Sequence, residues 1–203
     1  MSTSITMNLE SSKYLGGIGA LLIVVGLAGA FGAYLGILTL VGIVLVLVAV
    51  HGLAGHYKER GIFNNMLYAI ILLIVGVVAF AVVIVVGAIA AFESLGVEFS
   101  GRDWTVFERM FEQGIPMGDV GALLTFIGAA IIALVVLFIF AILAAVFFRK
   151  SLSMIASRTG VRMFGTAGML MLVGAILTII LVGFVVMWVA WILVAVAFFL
   201  IRT

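Results

Sequence analysis

The chain has 203 residues, of which 67% are hydrophobic and 9% are charged, and its formal net charge is +2. A soluble domain carries roughly 25% charged residues because its surface must meet water, so this composition predicts an integral membrane protein. The sequence lacks cysteine, which excludes disulfides, thiolate metal sites and cysteine nucleophiles. We expect a single membrane domain over residues 1–203, made only of helices.

Residues 1–13 form a polar segment without the basic start of a secretory signal. The chain is then apolar from Tyr14 to Gly55 apart from His51. That length is about twice the ~20 residues that one crossing needs. Small residues between Ala30 and Gly36 favour a turn there. The sequence therefore predicts helix 1 over residues 14–30 and helix 2 over residues 35–53.

Residues 56–65 (HYKERGIFNN) predict a short charged loop, in which Asn64 or Asn65 caps the next helix. Uncharged sequence then predicts helix 3 over residues 66–92 and helix 4 over residues 120–148.

The segment between helices 3 and 4, residues 93–119, holds six of the eight acidic residues of the chain. We expect it to be an acidic loop on the outer face. Within it, Ser100 and Asp103 have the spacing of a capping box, and a helix over residues 102–113 would be amphipathic. Its apolar face, predicted to lie on the membrane surface or over the mouth of the bundle, consists of Trp104, Phe107, Met110 and Phe111.

Residues 149–162 are basic and predict an inner loop, with Leu152, Ile155 and Ala156 on a short surface helix closed by Gly160. No charge follows between Met163 and Ile201, so two further helices are expected, with a break at residues 181–183. This gives an all-α bundle of six spans, in which two hairpins flank a central helix pair. One long fifth helix, and hence five spans, is the alternative.

The basic residues favour both termini in the cytoplasm. With six spans, eight of the ten Lys and Arg residues fall on one face of the membrane, as the positive-inside rule requires. A weak internal repeat also favours paired hairpins, since Gly16-x-x-Gly19 corresponds to Gly165-x-x-Gly168 and residues 47–50 correspond to residues 193–196. We expect a multi-pass protein of the cytoplasmic membrane.

The densest glycine pattern lies in helix 1 and the turn after it. Small residues let helix backbones approach closely, which promotes helix association in lipid. The pattern predicts either packing within one chain or a subunit interface. Its residues are Gly16, Gly19, Gly26, Gly29, Gly32 and Gly36.

No group of residues in the sequence has the pattern of a catalytic or metal-binding site. The proposed spans contain no Asp, Glu, Lys or Arg, the residues that proton relays place inside a bundle. His51 and His56 are five positions apart, so they do not align on a helix, and zinc needs at least three protein ligands. Trp188 and Trp191 are expected to pack or to face lipid. We expect no enzyme activity, metal, cofactor or nucleic-acid partner.

Residues 57–65 (YKERGIFNN), together with Thr159-Gly160, residues 174–183 and residues 190–192, resemble an archaeal family of integral membrane proteins catalogued as a domain of unknown function. The resemblance covers about residues 14–201. It implies an archaeal cytoplasmic membrane but no activity and no site residues.

The hypothesis that follows is a non-enzymatic structural or accessory membrane component. Such a protein would self-assemble or join a membrane complex, with the lipid bilayer as its other partner. The alternative hypothesis is a channel or carrier for small neutral or apolar molecules.

Overall fold

The structure is a computed structural model, and it describes residues 8–28, 33–94, 120–180 and 182–202. Of these residues 94% are helical and none is in a strand. The helices are α1 (Leu9–Ala28), α2 (Ala33–His56), α3 (Arg60–Ser94), α4 (Val120–Thr159), α5 (Met163–Leu177), a 3-10 turn (Thr178–Ile180) and α6 (Val182–Phe199).

Six helices in the described ranges are long and apolar enough to cross a membrane, which confirms the all-α prediction with six spans. The break between the last two spans is also confirmed. α5 ends at Leu177, the 3-10 turn follows, and α6 begins at Val182. Glycine permits the sharp reversal, because a side chain at Gly183 would collide with the carbonyl oxygen of Gly174.

The predicted loop over residues 56–65 is wrong for its second half, because α3 begins at Arg60. Only residues 57–59 separate α2 from α3, and Lys58 takes a left-handed conformation with φ 54°. Asn65 is not a cap. It lies inside the helix, where its side-chain amide donates a 2.6 Å hydrogen bond to the carbonyl of Gly61, one turn earlier.

The predicted separation of helix 4 from a short surface helix is also wrong. α4 is one helix of 40 residues that runs through Arg149 and Lys150 to Thr159. Its end at Gly160 is confirmed: this residue has φ +73°, and its N–H donates a 3.0 Å hydrogen bond to the carbonyl of Ala156. Charges and polar residues are compatible with a helix that continues past the hydrocarbon, so they do not mark where it stops.

The described residues form two compact units. Unit 1 comprises the described residues within 1–73 and 141–203, and unit 2 comprises those within 74–140. In unit 1, α1 packs against α2 and against α6, and α5 packs against α6. The side chains buried most completely form one apolar core and include Leu53, Ile62, Ile155, Phe164 and Phe198.

The described part of unit 2 consists of the C-terminal part of α3 and the first part of α4. Its buried positions include the small residues Gly76, Gly87, Ala122 and Ala133. The single membrane domain expected over the whole chain stays a prediction.

Candidate functional site

The predicted glycines lie in different environments. Gly19 of α1 lies against α2, where a Cβ added to it would be 2.8 Å from the carbonyl oxygen of Gly42. Gly16 lies against the ring of Phe198, and Gly26 is buried. Around Gly36, no atom of the described part of the chain lies within 4 Å of where a Cβ would point. Two of these positions therefore provide close contacts within one chain, and a role for the pattern in a subunit interface stays a prediction.

Gly29 and Gly32 lie outside the described residues, and so does the predicted amphipathic helix with Trp104, Phe107, Met110 and Phe111.

Two glycines that sequence reasoning missed lie where α3 meets α4. A Cβ on Gly76 would be 2.6 Å from the Cβ of Phe140, and one on Gly87 would overlap the Cβ of Ala129. Both are isolated glycines in long apolar helices, and each fits the close approach of a neighbouring helix. Their spacing of 11 residues, or three helical turns, is the sequence feature that could have identified them, because it places both on one face of the helix.

α3 and α4 are the longest and least buried of the six spans. In their most apolar stretches, 11% of the residues of α3 and 22% of those of α4 are buried, against 33–44% in the other four helices. Apart from Tyr68, the large hydrophobic residues exposed on them are aliphatic, such as Val77, Val82, Val86, Ile131 and Ile132.

An open apolar groove of about 480 Å³ runs along unit 2. Residues of both helices line it, including Val83, Ala90 and Gly128, and Thr125 supplies a hydroxyl. That hydroxyl is already satisfied, because it donates a 3.0 Å hydrogen bond to the carbonyl of Gly121. The groove can therefore accept hydrocarbon but has no free polar group from Thr125 to orient a ligand.

Unit 1 has a strongly basic end. It carries eight basic side chains against two acidic ones, Glu10 and Glu59, in the described residues. The eight are Lys13, Lys58, Arg60, Arg149, Lys150, Arg158, Arg162 and Arg202.

Long-range contacts hold several of these groups together. The ammonium group of Lys13 donates a 2.8 Å hydrogen bond to the carbonyl of Ile201, near the end of α6. Arg158 and Glu59 form an ion pair at 2.7 Å, and both side chains are partly exposed. This end therefore presents a cationic surface with one acidic group already neutralised.

A buried polar contact fixes α4 against α3 at the same end. Ser151 is fully buried, and its hydroxyl donates a 2.7 Å hydrogen bond to the carbonyl of Ile62. Such a bond satisfies a hydroxyl that would otherwise be costly to bury.

The two histidines pack against aromatic rings. The ring centroids of His51 and Phe63 are 4.8 Å apart, and those of His56 and Tyr57 are 5.0 Å apart. No group of three or more metal-ligating side chains occurs in the described part of the chain. Burial raises the pKa of the Tyr57 phenol above its ordinary value of 10.0.

The tryptophans of α6 make specific contacts. The ring of Trp191 packs edge-on against Phe148 with centroids 5.9 Å apart. The indole N–H of Trp188 donates a 2.9 Å hydrogen bond to the carbonyl of Val24 in α1. Trp188 thus satisfies its donor across a helix contact and remains 36% exposed.

Comparison with known proteins gives one family. The model of the family described as "Protein of unknown function (DUF996)" matches residues 38–192. The chain belongs to this family. It is also 32% identical over 195 residues to "Uncharacterized protein MJ1644" of Methanocaldococcus jannaschii, covering 96% of this chain and 94% of that protein. These matches confirm the resemblance to an archaeal membrane protein family of unknown function. No solved structure gives a significant match.

The DUF996 match extends from α2 into α6 and leaves out α1. It contains all of unit 2 and six of the eight basic residues at the end of unit 1. The exposed helix pair and most of the basic end therefore both lie within the family's matched region.

Proposed function

We propose that this DUF996 protein is a non-enzymatic component of the cytoplasmic membrane that works by assembling through the exposed faces of α3 and α4. The partner is either further copies of the chain or another membrane protein. The basic end faces the cytoplasm, because eight basic side chains lie there and cytoplasmic segments of membrane proteins are enriched in Lys and Arg.

The proposal is based on one observation: the membrane spans of this chain differ in length, α3 and α4 being longer than the last two spans. The apolar part of α3, from Met66 to Phe92, has 27 residues, and that of α4, from Val120 to Phe148, has 29. At 1.5 Å per residue these lengths are roughly 40 and 44 Å. By contrast, residues 163–180 and α6 each offer 18 residues, or about 27 Å.

One bilayer cannot match both lengths. A hydrocarbon core of ~30 Å suits the shorter spans, and the longer ones then exceed it by about 10 to 14 Å. Tilt alone would have to reach about 45°, which is above the usual range of 0–40°. Hydrophobic mismatch favours helix association, and the high exposure of α3 and α4 leaves their faces available for it.

Single cysteine substitutions test this proposal directly, because the chain has no native cysteine. Val78→Cys and Val82→Cys place a thiol on exposed positions of α3, while Leu40→Cys and Val44→Cys are matched controls on exposed positions of α2. Oxidation in native membranes should form a disulfide between two copies of an α3 variant, or a photo-crosslinker attached to the thiol should capture another membrane protein. The α2 variants should stay single chains under both treatments. Equal crosslinking of both pairs, or none, would contradict the proposal.

The second candidate function is a channel or carrier for small neutral or apolar molecules. The groove of about 480 Å³ between α3 and α4 favours it, because its lining is almost entirely apolar. Purified protein in liposomes would then release an entrapped neutral solute faster than empty liposomes do. If the crosslinked, assembled protein gave no such flux, the result would favour assembly as the function over transport.

A further inference from the structure

The cytoplasmic part of α4 carries one stripe of residues that changes from apolar to cationic. The stripe lines an open groove of about 560 Å³. Its residues are Val146, Arg149, Lys150, Ser153, Met154 and Ser157. They recur at helical spacing, so they share one face of α4 over roughly 16 Å.

The cations of this groove lack acidic partners. Among the described residues, Arg149 and Lys150 form no ion pair, and Glu59, the acidic residue between α2 and α3, is already paired with Arg158 at 2.7 Å. Both cations are exposed. The groove therefore holds two positive charges that nothing in the described part of the chain neutralises.

The two hydroxyls of the groove differ in availability. Ser157 donates a 2.8 Å hydrogen bond to the carbonyl of Met154. Ser153 has no hydrogen-bond partner among the described residues and is exposed. Ser153 can therefore donate to an anion held between the two cations.

The apolar wall of the groove, formed at this end by Met154, is held in place by contacts with residues of α3. The methyl carbon of Met154 would lie 2.6 Å from a Cβ added to Gly61, and its sulfur accepts a 3.5 Å hydrogen bond from the side-chain amide of Asn65. Val146, also in the lining, lies about two turns earlier on α4, on the other side of the cations. The groove thus offers a fixed apolar wall directly next to its cations.

We propose that this groove binds the phosphate headgroup of an anionic membrane lipid, with part of the lipid chain against Val146 and Met154. The Arg149 guanidinium can contact two phosphate oxygens through its planar fork, and Lys150 supplies a compact charge. The apolar run of α4 ends at Phe148, immediately before these cations, which sets the groove at the depth of lipid headgroups. The adjoining apolar wall favours a lipid phosphate over free phosphate.

The test is retention of lipid, measured by native mass spectrometry after release from vesicles of equal parts phosphatidylglycerol and phosphatidylcholine. The variant Arg149→Gln/Lys150→Gln removes the groove cations. The matched control, Lys58→Gln/Arg60→Gln, removes two exposed cations of the same unit that do not line the groove. Each cation in contact with the lipid phosphate should strengthen its binding about fivefold, the size of the effect of one cation near an anionic surface, whereas Lys58 and Arg60 lie outside the groove that would hold the retained lipid.

Wild type should retain phosphatidylglycerol in preference to phosphatidylcholine. The groove variant should lose roughly twentyfold of that retention and the control less than about twofold. Ser153→Ala, which leaves both charges and all helix contacts in place, should lose about two- to fivefold. An equal loss in the groove and control variants would overturn the proposal in favour of general surface charge. Unchanged retention in both the groove variant and Ser153→Ala would overturn it outright.

A second experiment distinguishes a bound lipid from a bound soluble anion. Excess inorganic phosphate added to the wild type should leave the retained phosphatidylglycerol in place, because the apolar wall contributes to lipid binding alone. Displacement of the lipid by inorganic phosphate would assign the groove to a soluble phosphate and overturn the lipid proposal.

Discussion

The contact between Gly19 of α1 and Gly42 of α2 gives a quantitative prediction for the variant Gly19→Ala. The added Cβ would lie 2.8 Å from the Gly42 carbonyl oxygen, 2.8 Å from the Cβ of Leu45 and 2.9 Å from the backbone nitrogen of Val46. Ordinary contact begins at 3.4 Å. The two backbones must therefore part by about half an ångström, because two of the three obstructing atoms belong to the main chain.

Overpacking of this kind costs about 1 to 3 kcal/mol of unfolding free energy. In a chain of this size that cost corresponds to a fall of roughly 2 to 12 °C in midpoint temperature. Gly36→Ala is the matched control, because it adds the same methyl group to a helix at a point where no atom of the described residues lies within 4 Å. Both variants gain the helix propensity of alanine, so the difference between them isolates the contact.

The assay is thermal unfolding of the purified variants in one detergent, followed by tryptophan fluorescence. Gly19→Ala should unfold at a lower temperature than wild type, while Gly36→Ala should match or exceed wild type. Adding Gly42→Ala to Gly19→Ala should cost less than the sum of the single changes, since the first change has already separated the helices. Equal midpoints for Gly19→Ala and Gly36→Ala would refute the reasoning.

Three further predictions concern the basic end of unit 1. Lys13→Met removes the hydrogen bond to the Ile201 carbonyl and should lower the unfolding free energy by about 1 kcal/mol in the same assay. Arg158→Ala should cost less than about 1 kcal/mol, and the loss should disappear in high salt, because its ion pair with Glu59 is partly exposed. Burial raises the pKa of Tyr57 above 10.0, so the stability that depends on its neutral phenol is complete below pH 10 and is lost as pH rises through the raised value. Tyr57→Phe should therefore resist alkaline unfolding better than wild type, and equal sensitivity would contradict this account of burial.

The number of helices and the stopping point at Gly160 could be predicted because each depends on local sequence. Hydropathy reports which segments avoid water, and glycine reports where the backbone takes a left-handed turn. The starting point of α3 and the continuity of α4 could not be predicted in this way. Arg60, Arg149 and Lys150 were interpreted as loop residues, yet long cationic side chains fit a helix that extends past the hydrocarbon.

Contacts between residues far apart in the chain could not be predicted from the local sequence around either residue. Lys13 and Ile201 are 188 positions apart, and Ser151 and Ile62 are 89 positions apart. A lysine near a predicted span suggests only an interfacial anchor, and a serine beside two cations suggests an exposed loop. Their partners depend on how the helices pack, which the composition of each helix does not specify. For the same reason, the low burial of α3 and α4 could be recognised only from the structure.

Assembly through α3 and α4 is tested most directly by native mass spectrometry of the protein released gently from its own membrane, with subunit number and retained partners recorded together. The account predicts a defined oligomer, or one chain bound to another membrane protein, and a shift toward single chains when a bulky charged residue replaces exposed Val78 on α3. A bare single chain in the mildest detergent, together with absence of crosslinking from α3 in the intact membrane, would contradict it.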